Sequence, residues 1–130
     1  MEREEAAGSL RGVYVLLVDD DAPHRMVLRD ILRYCGAWVR DVAAGDEARG
    51  VLRETTPTAL VVTVRGPGDL AWQFVRAVRA LHPPHGGKLP VIGVGPESLA
   101  PQAREHGLDA YLAEPIEAMA LCRAVMELTE

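Results

Sequence analysis

The sequence predicts an α/β protein built on a doubly wound, five-stranded parallel sheet, and two observations carry that prediction. Strand and helix patterns alternate five times along the 130 residues. The first strand, at 13–18, is apolar or aromatic throughout, which is typical of a strand covered on both faces of a parallel sheet. No repeat or linker interrupts the alternation, so we expect one domain at 13–130 after a flexible leader at 1–12.

Local patterns define each later element in turn. The first helix begins near Pro23, which suits a first helical turn, and ends at Gly36. Residues 37–43 then alternate as a half-buried or edge strand. The later strands are apolar runs, predicted at 59–64, 89–94 and 110–113. The later helices are amphipathic, predicted at 45–54, 70–81, 99–106 and 121–128. Such alternation places helices on both faces of the sheet.

The composition excludes several classes of protein. With 48% apolar and 25% charged residues, the chain can bury one core. A net charge of −5 with scattered arginines argues against nucleic acid as a direct partner. No stretch is long and apolar enough for a membrane span, and the leader lacks the apolar core of a signal peptide. Cys35 and Cys122 fall in helical patterns, so we expect reduced thiols and a cytoplasmic location. Trp38 and Trp72 are predicted to pack in the core.

Three consecutive carboxylates, Asp19, Asp20 and Asp21, end the first strand. Ligands of parallel sheets bind at the carboxyl ends of the strands. Adjacent like charges repel one another, so their clustering favours a site for a cation, or for a phosphate held together with a cation. The alternative is a solvated turn in which Asp21 caps the next helix.

A series of short motifs, each weak alone, occurs in order over 14–128. They are Val-Asp-Asp-Asp at 18–21, Gly-Ala at 36–37, Ala-Gly-Asp-Glu-Ala at 44–48, Pro57, Pro-Val-Ile at 90–92, Asp-Ala-Tyr-Leu at 109–112 and Glu-Pro at 114–115. With these spacings the chain resembles the receiver domains of bacterial two-component response regulators. The resemblance implies a flavodoxin-like (βα)5 receiver fold and a non-enzymatic role in phosphorelay signal transduction.

The same resemblance implies a phosphorylation site of five groups, and only two of them match. Asp19 and Asp20 match the acidic pair that holds Mg²⁺. The other three positions should carry an acceptor aspartate after strand three, a Ser or Thr after strand four and a lysine after strand five. This chain has Thr63, Gly95 and Glu114 there. A threonine cannot form an acyl phosphate, and Glu114 replaces a cation by an anion.

We therefore interpret the chain as a pseudo-receiver, a protein-interaction module that is not controlled by aspartyl phosphorylation. No cofactor would be required, and Mg²⁺ binding at Asp19 and Asp20 would be weak or vestigial. The resemblance implies an output face at helix four, strand five and helix five, roughly 99–128, with Tyr111 as the switch aromatic. That face would contact a protein partner or output domain, or a second copy in a homodimer.

Arg65 is the predicted pocket cation. It follows Thr63 by two residues, on the loop above the acids, and could pair with them in place of the missing cations. The alternative is an arginine exposed to solvent, as loop arginines usually are.

Other interpretations of these residues stay open. Asp69, on the loop after strand three, is an alternative acceptor. A haloacid-dehalogenase-like phosphatase would use Asp19 as nucleophile and Asp21 as acid or base, with Thr63 as phosphate ligand. His82 and His85 have a spacing compatible with a metal, although a plain loop is the favoured interpretation.

Overall fold

The computed structural model describes residues 6–81 and 87–130, and its five strands form one parallel sheet in the order β2-β1-β3-β4-β5. The strands are β1 (Tyr14–Val18), β2 (Trp38–Val42), β3 (Ala59–Thr63), β4 (Val91–Gly95) and β5 (Ala110–Ala113). The helices are α1 (Ala22–Tyr34), α2 (Gly45–Glu54), α3 (Leu70–Arg79), α4 (Ala100–Glu105), preceded by a 3-10 turn at Glu97–Leu99, and α5 (Ala118–Thr129). The predicted fold class is confirmed.

The sheet separates two apolar layers. On one face, α1 and α5 pack over residues such as Val15, Leu17 and Ile92. On the other, α2, α3 and α4 pack over residues such as Leu16 and Leu60. All residues of β3 and β4 are buried, because both strands lie inside the sheet with helices on each side. Doubly covered strands of this kind account for the uninterrupted apolar runs in the sequence.

The strand register brings the candidate site together. β1 pairs with β3 in parallel, and Val18 lies opposite Val62. Asp19 directly follows Val18, and Thr63 directly follows Val62. The two residues therefore lie side by side at the carboxyl edge of the sheet. Lys88 precedes β4 and so belongs to the opposite edge.

The described part of the leader, 6–12, differs from the flexible segment that we expected. Ala6 and Leu10 are fully buried in the layer formed by α1 and α5. The backbone N–H of Leu10 donates to the carbonyl of Cys35 at 2.8 Å. Gly36, with a φ of 101°, ends α1 close to this turn, and a Cβ there would lie 3.1 Å from the Cα of Gly8. Gly8 and Gly36 carry no side chains, which allows this close approach of two backbones. The domain boundary at residue 12 stays a prediction.

The expectation of two reduced cysteines is wrong for this structure, since Cys35 and Cys122 form a disulfide. The end of α1 and the middle of α5 meet on the same face of the sheet, which places the two Cα atoms 6.6 Å apart. Helical spacing alone could not indicate that the two cysteines meet, because they are 87 residues apart in the chain. The cytoplasmic location stays a prediction.

The two tryptophans have different environments. Trp72 on α3 is buried, as predicted. The prediction for Trp38 is wrong, since 75% of this residue is exposed. Trp38 opens β2, which is an edge strand, and alternate positions of that strand face solvent. His82 and His85 lie outside the described residues. Within 6–81 and 87–130, no helix is long and apolar enough to cross a membrane.

Replacing Leu10 by alanine tests whether the leader belongs to the core. Because the Leu10 side chain is fully buried, Leu10→Ala should lower the free energy of unfolding by about 2 to 5 kcal/mol, the range for large-to-small core substitutions. Urea unfolding measures the change, and Arg11→Ala at the exposed neighbouring position is the control. Equal stability of the two variants would show that the leader is dispensable.

Candidate functional site

The site is organised around Asp19, the first residue after β1, whose side chain is completely buried. Its backbone N–H donates to the carbonyl of Val42 at 3.1 Å, which continues the pairing of β1 with β2 beyond the strand end. Its Oδ1 accepts from the backbone N–H of Asp21 at 2.9 Å. A buried carboxylate costs several kcal/mol of desolvation unless charged or polar partners surround it. The neighbouring side chains supply those partners.

Arg65 is the first partner of Asp19. Its Nη2 lies 2.5 Å from Asp19 Oδ1, and its Nε lies 3.0 Å from Asp20 Oδ1. Partial burial lowers the pKa of Arg65, but the hydrogen bond to Asp20 and the charges of both aspartates outweigh it and leave the pKa above its ordinary value. The guanidinium therefore stays charged and bridges the two acids.

The loop after β3 fixes Arg65 in place. The backbone N–H of Arg65 donates to Asp69 Oδ2 at 2.8 Å, and Asp69 Oδ1 accepts from the backbone N–H of Ala71 at 2.9 Å. Asp69 is thus the N-cap of α3. Both of its oxygens are engaged by backbone amides, so it holds the loop in shape.

His24 is the second partner of Asp19, and the sequence analysis did not identify it. Its Nδ1 contacts Asp19 Oδ2, and its Nε2 lies 3.3 Å from Glu114 Oε1. The imidazole thereby links the end of β1 to the end of β5. A signal was available, because residue 24 lies in the first turn of α1, directly after the acids. Side chains at such positions can reach back to the strand end.

Arg25 also supports the acidic turn without having been predicted. Its Nη1 donates to the backbone carbonyl of Asp19 at 2.8 Å, and its Nε lies 3.1 Å from Asp41 Oδ2 on β2. This guanidinium holds the turn between β1 and α1 against the edge strand. Asp21, by contrast, is exposed at the N-cap of α1 and makes no side-chain capping bond.

The donor set leaves few oxygens free for a Mg²⁺ ion. Magnesium requires carboxylate oxygens free to coordinate it in a near-octahedral shell. Both oxygens of Asp19 have partners, and one oxygen of Asp20 is bound by Arg65. In the part of the chain that the structure describes, no three His, Cys, Asp or Glu side chains converge as a metal site. The space beside these acids is taken by the guanidinium of Arg65 and the imidazole of His24.

Thr63 ends β3 and is 5% exposed. Its Oγ1 lies 3.4 Å from the carbonyl of Val18, which it can engage only as a donor. No histidine or carboxylate hydrogen-bonds to this hydroxyl in 6–81 and 87–130, so nothing there would activate it as a nucleophile. Thr63 lies at the floor of an open cavity of about 800 Å³, which Asp19, Asp20 and Asp69 also line.

Gly95 and Tyr111 fit against each other at the end of β4. A Cβ on Gly95 would lie 2.6 Å from the Tyr111 hydroxyl oxygen and would also clash with the Val64 carbonyl oxygen. The Tyr111 hydroxyl donates to the carbonyl of Pro96 at 2.6 Å. Burial, with a smaller contribution from the charge of Glu114, raises the pKa of Tyr111 to about 12. The Tyr111 hydroxyl therefore occupies the space that a side chain at residue 95 would take.

Glu114 lies at the end of β5, before a cis peptide bond to Pro115. Its backbone N–H donates to the carbonyl of Gly95 at 2.8 Å, and its side chain is 34% exposed. The carboxylate thus lies at the edge of the site, with His24 between it and Asp19. Arg65 is paired with Asp19 and Asp20.

Comparison with known proteins supports one family. No protein-family model matches the chain. An uncharacterised 14.6 kDa protein of Leptolyngbya boryana is 32% identical over 116 residues, 87% of each chain. A structure from Chloroflexus aurantiacus, assigned as a response regulator, is 31% identical, covers 90% of this chain and 97% of its own, and superposes with a TM-score of 0.81.

A second solved structure contains a bound metal ion. It is the receiver domain of a sensor histidine kinase from Pseudomonas aeruginosa, with a magnesium ion coordinated in its active-site cleft. It is 26% identical, covers 90% of this chain and 97% of its own, and has a TM-score of 0.78. The sequence motifs, the strand order and these similarities together show that the chain belongs to the family of response-regulator receiver domains of two-component signalling.

Proposed function

We propose that this receiver domain is a pseudo-receiver, a protein-interaction module that works independently of aspartyl phosphorylation and has no catalytic activity of its own. The observation that carries the proposal is the guanidinium of Arg65 on Asp19 and Asp20. In a phosphorylation site these acids would have to be available to a metal ion. Here they already have a permanent cation, so no cofactor is required and any Mg²⁺ binding is weak.

The acceptor position supports the same conclusion. Aspartyl phosphorylation forms an acyl phosphate on a carboxylate, and residue 63 offers a hydroxyl instead. Thr63 is buried and has no base beside it. An incoming phosphoryl group would also face the carboxylate of Glu114 where the family pattern has a lysine.

Two alternative functions have little support. Asp69 lines the cavity, but its oxygens cap α3 and hold the Arg65 loop, so its phosphorylation would break both contacts. A phosphatase needs Asp19 as a free nucleophile, and that carboxylate is fully buried between Arg65 and His24. The second aspartate of the phosphatase interpretation, Asp21, is exposed at a helix N-cap.

Loss of the phosphoryl group removes the ligand that would bias a two-state switch. We propose that Tyr111 instead occupies one position, held by Pro96 and by the space at Gly95. The surface at 99–128, formed by α4, β5 and α5, would then have one constant shape. It is the proposed contact surface for a protein partner or output domain, or for a second copy of the chain.

Treatment with acetyl phosphate and Mg²⁺ tests the proposal. The domain should gain no phosphoryl group, because position 63 lacks a carboxylate and Arg65 occupies the acids. Intact-mass measurement at neutral pH detects an acyl phosphate, and a conventional receiver treated in parallel is the positive control. Stoichiometric addition of one phosphoryl group that disappears in Asp69→Asn would overturn the proposal in favour of the displaced acceptor.

Arg65→Ala should destabilise the domain near neutral pH, because it leaves the buried Asp19 carboxylate without its charged partner. The expected loss is about 1 to 3 kcal/mol in the free energy of unfolding, the range for charge-assisted hydrogen bonds. Urea unfolding measures it. Arg76→Ala is the matched control, since Arg76 is exposed on α3 and has no ion pair in the described structure. If the two variants are equally stable, Arg65 does not compensate the acids.

Replacing Gly95 by serine should expel the Tyr111 ring, because the added Cβ takes the space of its hydroxyl. The pKa of Tyr111 should then fall from about 12 toward the ordinary value of about 10. A raised pKa in the folded state stabilises the fold below pH 10, and this stability is lost as the pH rises from about 10 to 12. Gly95→Ser should remove that pH dependence.

Ultraviolet absorbance of tyrosinate across an alkaline titration measures the ionisation of Tyr111. Gly68→Ser is the control, because a Cβ at Gly68 would meet nothing within 4 Å. An unchanged titration in Gly95→Ser would show that the tyrosine is not held by the space at residue 95.

A further inference from the structure

We propose that the groove between α2 and α3 docks an acidic, apolar peptide segment of a partner protein. This α2–α3 groove is lined by Arg49, Leu52, Arg53, Ala77, Val78 and Leu81. The inference rests on the proposed role as an interaction module, and it names a second contact surface and the chemistry of its partner. The surface lies apart from the one at 99–128.

The groove has an apolar floor and an open top. Val78 is 1% exposed and belongs to the core, whereas Leu81 at the end of α3 is 41% exposed. Leu52 on α2 is half-buried against the same layer. The cavity measures about 460 Å³, enough for a few side chains of a partner. An apolar depression rimmed by polar side chains is typical of protein contact sites.

Two unpaired cations line the α2 side of the groove. Arg49 and Arg53 are exposed and one helical turn apart, and neither makes an ion pair or hydrogen bond in the described structure. Asp46, three residues before Arg49, does not pair with it either. Asp46, Glu47 and Glu54 also lie on α2 but do not line the groove, so the two free guanidiniums are its charged lining groups in the described structure.

The other arginines that shape this domain are used internally. Arg25 pairs with Asp41, Arg65 with Asp19, and Arg79 with Asp109 while also donating to backbone carbonyls. Arg49 and Arg53 stabilise nothing comparable. Their planar guanidiniums are suited to bidentate contacts with carboxylates of a partner.

Charge complementarity defines the occupant. The partner segment should carry apolar side chains for the floor and glutamates or aspartates for the arginines, as one face of an amphipathic helix does. Nucleic acid is a poor match, because its binding rests on phosphate contacts, which would leave the apolar floor of the groove uncovered. Arg49 also lines the cavity that contains Thr63.

The test uses the full chain and a panel of short fluorescent helical peptides with leucine and glutamate on one face in different registers. Fluorescence anisotropy should detect saturable binding by at least one peptide. The double variant Arg49→Glu, Arg53→Glu should weaken it about tenfold or more, and a peptide with lysine in place of glutamate should bind this variant instead. Arg104→Glu, at an exposed arginine on α4, should leave the affinity unchanged.

Several results would overturn the inference. One is that no peptide of the panel binds saturably, and another is that a peptide binds the double variant as well as the wild type. A third is that octanoate displaces the bound peptide completely, which would indicate a site for small amphiphilic carboxylates. Self-association of the free protein that the double variant abolishes would assign the groove to a second copy. None of these outcomes would restore phosphorylation, so this inference can fail while the pseudo-receiver proposal stands.

Discussion

The ion pair between Asp19 and Arg65 is the interaction on which the site depends. Asp19 has no exposed side-chain surface, and a charge in such a place is costly unless its partners stay with it. A metal ion could be such a partner, but it would have to be recruited from solution. Arg65 is part of the chain and is held by its own loop through Asp69. The buried carboxylate of Asp19 therefore has a charged partner whenever the protein is folded.

The departures from the family pattern compensate one another locally. The resemblance puts a phosphate-sensing hydroxyl at Gly95, and the space without a side chain there accepts the Tyr111 hydroxyl. Glu114 replaces a cation, and His24 lies between its carboxylate and that of Asp19. Each change would be unfavourable in an otherwise conventional site, but together they give a packed edge of the sheet. This consistency is what a fold kept for binding would require.

Much of the fold and part of the site could be predicted from the sequence. The apolar run of β1 and the alternation of elements indicate a doubly wound sheet because burial on both faces leaves that pattern. Arg65 could be predicted because it lies two residues beyond β3, and β3 pairs with β1, the strand that the acids follow. The disulfide, the contacts of His24 and the packing of Leu10 depend on how distant segments meet, which local patterns do not encode. Trp38 was misassigned because its size favoured a core position, although its strand had been predicted as half-buried or edge.

Paramagnetic relaxation by Mn²⁺ tests most directly whether Arg65 has replaced the metal. Manganese prefers the same oxygen ligands as magnesium and broadens the amide signals of residues close to it. In the wild-type protein, the signals of Asp19, Asp20 and Thr63 should stay sharp at Mn²⁺ concentrations that broaden them in Arg65→Ala. Equal broadening of these signals in both proteins would show that the acids bind a metal despite the arginine, and would contradict the account.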